Sequence, residues 1–215
     1  MMDFSPFIEV ARRSSSTDPA HDFLHVERVL ENAKLILKDI PADSEVIIPA
    51  ILLHELFNYP KNDPRSQFSG DICAELAGEI LDKHQYPMKK RGMVLDCIRF
   101  HSFSRGVIPA HIEGKIVQDA DRLDAVGAIG IARLFATSGK TERPFYDLGD
   151  PFGEHRIFDD KTYGVDHFYV KLLKLAEGMH TTVAKEMALS RTTFMLKYIE
   201  QLRSEIQPTI LDLDS

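Results

Sequence analysis

Apolar residues return every three or four positions along most of this chain, and nowhere do they alternate with period two for long. That pattern leaves helices packed on helices as the fold class, all-α. Val26, Val29, Leu30, Ala33, Ile36 and Leu37 form one stripe, and Asp18 followed by Pro19 supplies a start signal, so a helix is expected over about 19–38. Residues 44–57 are apolar almost all round, as in a helix buried at a domain centre, with Pro49 near its start or at a kink. Ile72, Leu76 and Ile80 predict a helix over about 70–84, and Val94 and Ile98 another over about 88–101. Val117, Ala128, Ile131 and Phe135 suit a helix from 115 to 135, in which Gly127 and Gly130 allow close packing against a neighbour.

Between Thr137 and Tyr163 the periodicity fails. The segment is rich in Pro, Gly and aromatic residues, and an aperiodic stretch of this length reads either as mobile surface or as a lid over a site. Helices of about 165–176 and about 181–204 follow, the second capped by Thr181 or Thr182. The expected organisation is one domain over all 215 residues, long enough to bury a core without staples, with core helices over about 19–136.

Composition excludes several classes of function. A formal charge of −7 and the absence of a basic stripe argue against nucleic-acid binding and against attachment to an anionic membrane. Cys73 and Cys97 are the only cysteines and stand in no CxxC spacing, so buried thiols are expected rather than a disulfide framework or a thiolate metal site. No signal-peptide pattern and no long apolar span occur, so a cytoplasmic protein is expected.

Against this ordinary background, a set of chemically active side chains points inward. His21 and His25 project near the apolar stripe of their helix, and His54 and Glu55 end the most apolar segment, "PAILLHELFNYP". Asp121 follows Val117 by four and precedes Asp124 by three, which puts two carboxylates on an apolar helical face. His84 follows Ile80 by four and His101 follows Val94 by seven, again on inward stripes. Each alone reads most simply as a hydrogen-bonded core residue, but together they need buried partners, and a shared divalent metal supplies one to all of them. Imidazole and carboxylate ligands without thiolate suit manganese, magnesium, iron or cobalt as well as zinc.

The ordered fragments "HDFLHVERV", "ILLHE", "HSFS" and "QDADRLDAVGAIGIAR", with "PKNDPR", "DDKTYGVDHFYVKLLKL" and "MHTTVAKEMALSRTTFM", resemble the HD-domain metal-dependent phosphohydrolases, especially their YpgQ/YedJ-like branch. The resemblance runs nearly end to end and implies a single HD-domain helical bundle, with the 137–163 loop before the C-terminal helices. In that family a first His, an adjacent His-Asp pair and a distant Asp bind a divalent metal; these fall on His25, His54, Glu55 and Asp121, with Glu55 standing where the family has Asp. Glu55 and Asp121 are then the catalytic carboxylates, and His84 and His101 are expected to bind a second ion or the substrate phosphates. Asp71 is either a substitute ligand or a helix-start residue. Lys61, Arg65, Arg122, Lys171 and Lys174 are candidate phosphate clamps, Arg122 having a second reading as a partner for Asp119.

The implied reaction is hydrolysis of a nucleoside triphosphate to monophosphate and pyrophosphate. A nucleoside monophosphatase, an alarmone hydrolase and a metal- or nucleotide-binding module without turnover are the alternatives. The implied partner is a small nucleotide, and homo-oligomerisation is left open.

Overall fold

The computed structural model describes residues 2–16, 18, 22–59, 63–102 and 105–206. Its helices are α1 (Ser5–Ser14), α2 (Phe23–Ile36), α3 (Ser44–Leu53), α4 (Ser69–Lys83), α5 (Met88–Arg99), α6 (Ile112–Leu123), α7 (Gly127–Lys140), α8 (Asp166–Val170) and α9 (Thr182–Ile206). Short 3₁₀ stretches at Pro64–Phe68 and Leu172–Gly178 complete it, and no strand occurs among the described residues. None of the described helices is long and apolar enough to cross a membrane. The chain packs into two compact units, Met1–Asp124 with His180–Ala184 and Ala125–Met179 with Lys185–Ser215.

The first unit is built around α3, which packs against α1, α2, α5 and α6. Its all-round apolar sequence fits that position, for Ile47, Ala50, Ile51 and Leu53 have no exposed surface. Pro49 sits inside the helix and is itself buried. Proline has no N–H to give the carbonyl four residues earlier, that of Glu45. The buried Tyr86 hydroxyl donates to this oxygen at 2.5 Å, so the tolerance for Pro49 is supplied by another part of the chain. α4 lies against α5, closely enough that a Cβ on Gly70 would stand 2.5 Å from the Arg99 carbonyl oxygen. α1, which the sequence pattern did not announce, covers the core with only Phe7 and Ala11.

Several boundaries differ from expectation. Asp22, rather than Asp18, caps α2, because its carboxylate accepts the His25 N–H at 2.9 Å; Pro19 and His21 lie outside the described residues. α3 stops at Leu53, so His54 is its C-cap and Glu55 stands in the turn beyond. The expected helix from 115 to 135 is two helices, α6 and α7, separated at Asp124–Val126. Gly127 accounts for the break: its φ of +78° belongs to the region that a side chain disfavours.

In the second unit, Phe135, Phe145, Phe168 and Tyr198 pack as an aromatic cluster joining α7, the following loop, α8 and α9. The aperiodic segment takes its order from aspartates rather than from helical bonds. Asp147 and Asp150 accept backbone N–H groups of Gly149, Asp150, Glu154 and His155, while buried Asp166 receives Arg156 and the Asp159 N–H. Its ends meet where Gly164 and Val165 donate to the carbonyls of Pro144 and Phe145, at 2.9 and 2.7 Å. The expected 165–176 helix is α8 followed by the 3₁₀ stretch. Thr181 is the residue that caps α9, its hydroxyl accepting the Ala184 N–H at 3.3 Å.

Candidate metal centre

The predicted ligands come from three elements of the first unit. His25 lies in the first turn of α2, fixed through its backbone by Asp22. His54 ends α3, where the last carbonyls of a helix lack intrahelical donors. Its Nδ1 stands 2.6 Å from the Ile51 carbonyl oxygen, and since a carbonyl only accepts, Nδ1 carries the proton and Nε2 the lone pair. His101 repeats this arrangement at the end of α5, with Nδ1 donating to the Ile98 oxygen at 2.6 Å and its ring set edge-on to His54 at 5.0 Å. Asp121 comes from α6.

These elements bring His25 Nε2 to 3.3 Å from His54 Nε2 and 3.4 Å from Asp121 Oδ1. Glu55 Oε1 stands 3.5 Å from His25 Nε2 and 3.7 Å from His54 Nε2, while Asn58 holds its other oxygen. Ligand atoms of His25, His54 and Asp121 all lie within 4.8 Å of one another. Burial pushes the His54 imidazolium pKa down to about 4, against the opposing pull of the Glu55 carboxylate, so His54 is neutral at neutral pH.

This donor set fits a divalent cation. His54 turns a lone pair, not a proton, toward the other imidazole and two carboxylates, and acceptors gathered this closely repel unless a cation stands among them. Two carboxylates balance the charge of one such ion. Ligands bonded at ~2.1 Å stand about 3.4 Å apart at tetrahedral angles, close to the separations found here. Nitrogen and oxygen donors of this kind do not select one metal among manganese, magnesium, iron, cobalt and zinc.

Two residues outside the expected set support the cluster. His25 Nδ1 donates to Asp124 Oδ2 at 2.7 Å, and Arg28 grips the same carboxylate through Nε and Nη2, at 2.7 and 3.0 Å. The signal for them was in the spacing, since Arg28 follows His25 by three and Asp124 follows Asp121 by three.

The remaining candidates are distributed differently. His84 is the C-cap of α4, and it is exposed against the Phe7 ring rather than facing inward, because the helix has ended there and its stripe no longer applies. Arg65 is exposed, bound to Asp63 through two nitrogens and laid over Tyr59. Arg122 is buried beside Asp121 and donates to Gln118, whose oxygen also receives His180. Burial lowers its pKa, with Asp119 and Asp121 opposing. The Asp119 oxygens are engaged by the N–H groups of His180 and Thr181 and by the Thr181 hydroxyl. Asp71 begins α4 and pairs with Arg105 and Arg99, as a helix-start residue does. Lys171 caps α8 in the second unit, where Lys174 also lies, and Lys61 is outside the described residues. The two cysteines are buried free thiols, their pKa values raised by burial to about 12.

The first unit, which carries this His, His-Glu and Asp cluster, is similar to a known family. The HD domain model matches residues 23–126, which include every residue of the cluster. The uncharacterized protein YpgQ of Bacillus subtilis is 34% identical over 190 residues, covering 86% of this chain and 84% of YpgQ. The chain belongs to the HD domain family. Its structure resembles that of B. subtilis YpgQ in complex with ADP, with a TM-score of 0.71 and 33% identity over 94% of this chain and 98% of that one. It also resembles an HD-superfamily hydrolase from Bacillus thuringiensis, with a TM-score of 0.71 and 30% identity over 94% of each chain.

Proposed function

We propose that this protein is a divalent-metal-dependent phosphohydrolase that cleaves nucleoside triphosphates to monophosphate and pyrophosphate. The observation that carries the reading is the convergence of His25, His54 and Asp121 ligand atoms within 4.8 Å, with the Glu55 carboxylate set against both imidazoles. His25, His54, Glu55 and Asp121 would hold the ion. When bound, a divalent ion supplies a water of lowered pKa and polarises the phosphoryl group under attack.

The chain's own residues divide the remaining work by exposure. The imidazoles and Glu55 are buried, whereas the Asp121 side chain is 22% exposed, so substrate and water approach on its side. Asp121 orients the attacking water and accepts its proton as the oxygen bonds to the α-phosphorus. The bond from that phosphorus to the bridging oxygen breaks, and pyrophosphate leaves. Arg122, next to Asp121, would balance charge on the phosphates, and His101, beside His54, would help to bind them or a second ion. The ADP complex of B. subtilis YpgQ supports a nucleotide as the ligand class.

Product analysis tests this reading. Metal-stripped protein is supplied with manganese, magnesium, cobalt or zinc and a panel of nucleoside triphosphates, and pyrophosphate is resolved from phosphate. Metal-dependent pyrophosphate is expected. Phosphate alone, or release from the ribose 3′ position of an alarmone, would replace the reading by a monophosphatase or alarmone hydrolase, and no product in any arm would reduce it to a binding module.

A further inference from the structure

We infer that Asp124 and Arg28, neither of them a ligand, set the metal affinity of the centre by holding His25 in the tautomer and orientation that turn Nε2 toward Asp121; this rests on the metal reading above. The geometry is a two-by-two arrangement. α2 carries His25 and Arg28, α6 and its C-cap carry Asp121 and Asp124, and the two helices pack against each other. Both pairs are spaced by three, so each helix presents one ligand and one supporting residue on the same face. Ligand meets ligand where His25 Nε2 stands 3.4 Å from Asp121 Oδ1, and support meets support where Arg28 grips Asp124. The bond of 2.7 Å from His25 Nδ1 to Asp124 Oδ2 ties the two halves together.

Several features make Asp124 a positioning residue. Its side chain is only 2% exposed and both oxygens are occupied, Oδ1 by Arg28 Nε and Oδ2 by Arg28 Nη2 and His25, so the carboxylate is committed to its place. The His25 side chain is fully buried and its backbone is already fixed by Asp22, which leaves ring rotation and tautomer as the freedoms that Asp124 removes. A carboxylate on Nδ1 also makes the opposite nitrogen a stronger ligand. Arg28 offsets the charge of Asp124, so the charge facing the ion stays that of Glu55 and Asp121.

Asp124→Asn tests the idea, because an amide can donate to Nδ1 and stabilise the opposite tautomer. Arg28→Gln is the second variant, at a side chain 30% exposed and therefore tolerant of exchange should Asp124→Asn fail to fold. Manganese affinity of the metal-stripped full chain is measured by equilibrium binding, and the His25 ring nitrogens are followed by NMR without metal. Affinity is expected to fall by about 10- to 100-fold in Asp124→Asn and by less in Arg28→Gln. The His25 spectrum should change from the Nδ1–H form to a mixture of tautomers. Wild type that binds manganese together with variants of unchanged affinity and unchanged tautomer would overturn this inference alone. Wild type that binds no manganese would overturn the metal reading and this inference with it.

Discussion

At the scale of single residues, the centre is governed by where protons are absent. His54 is neutral because burial holds its pKa near 4, well below the ordinary 6.5. An unfolded chain therefore binds a proton at this position between those two values while the folded chain does not, so stability falls as pH falls. The contribution is complete above pH 6.5 and is lost progressively toward pH 4, a total of about 3 kcal/mol. Urea unfolding of the metal-free protein at pH 7.5 and pH 4.5 checks this. A midpoint unmoved by acid would show that His54 is not held neutral by burial. Glu55 belongs to the same scale. Standing in the turn after α3 rather than within the helix, it reaches both imidazoles and sets a carboxylate against them. The presence of His25, His54, Glu55 and Asp121 was legible from inward spacing and ordered motifs. Their supports were less so: Asp124 was legible as a second carboxylate on the apolar face that carries Asp121, but nothing in the sequence pairs it with Arg28 until α2 and α6 are seen side by side.

At the scale of elements, helix ends carry the imidazoles of the candidate centre. His54 and His101 each follow an isoleucine by three and each satisfy its carbonyl at a helix C-terminus, so one device terminates a helix and aims an imidazole. Periodicity located most of these helices because apolar stripes follow from 3.6 residues per turn, but it could not place their ends. Those depend on individual bonds: the Asp22 cap, the Gly127 backbone and the close of α3 at Leu53. The short α1 was not legible, since two buried apolar residues make too weak a stripe; the loop expected over 137–163 is found over 141–165, but the aspartate ties that order it were not legible, because side-chain-to-backbone bonds have no period. α3 also depends on a distant residue. Tyr86→Phe removes the donor to the Glu45 carbonyl that Pro49 leaves without a helical partner, and it should cost roughly 1–3 kcal/mol in chemical denaturation. A change well below that range would mean that water serves this oxygen equally well.

At the scale of the molecule, the all-α class was legible throughout, and the residues of the candidate metal cluster come from the first unit, where α2, α3 and α6 converge. The division of the contacts into two units has no signature in composition, for α9 runs from one into the other without a break. In the proposed function, three elements of the first unit gather four ligands around one divalent ion. Equilibrium manganese binding to the metal-stripped full chain, beside His54→Ala, tests this most directly. One ion per chain is expected in the wild type and at least about a tenfold loss of affinity in the variant, with the wild type gaining thermal stability as manganese is added. Equal binding by both proteins, or none by the wild type, would contradict it.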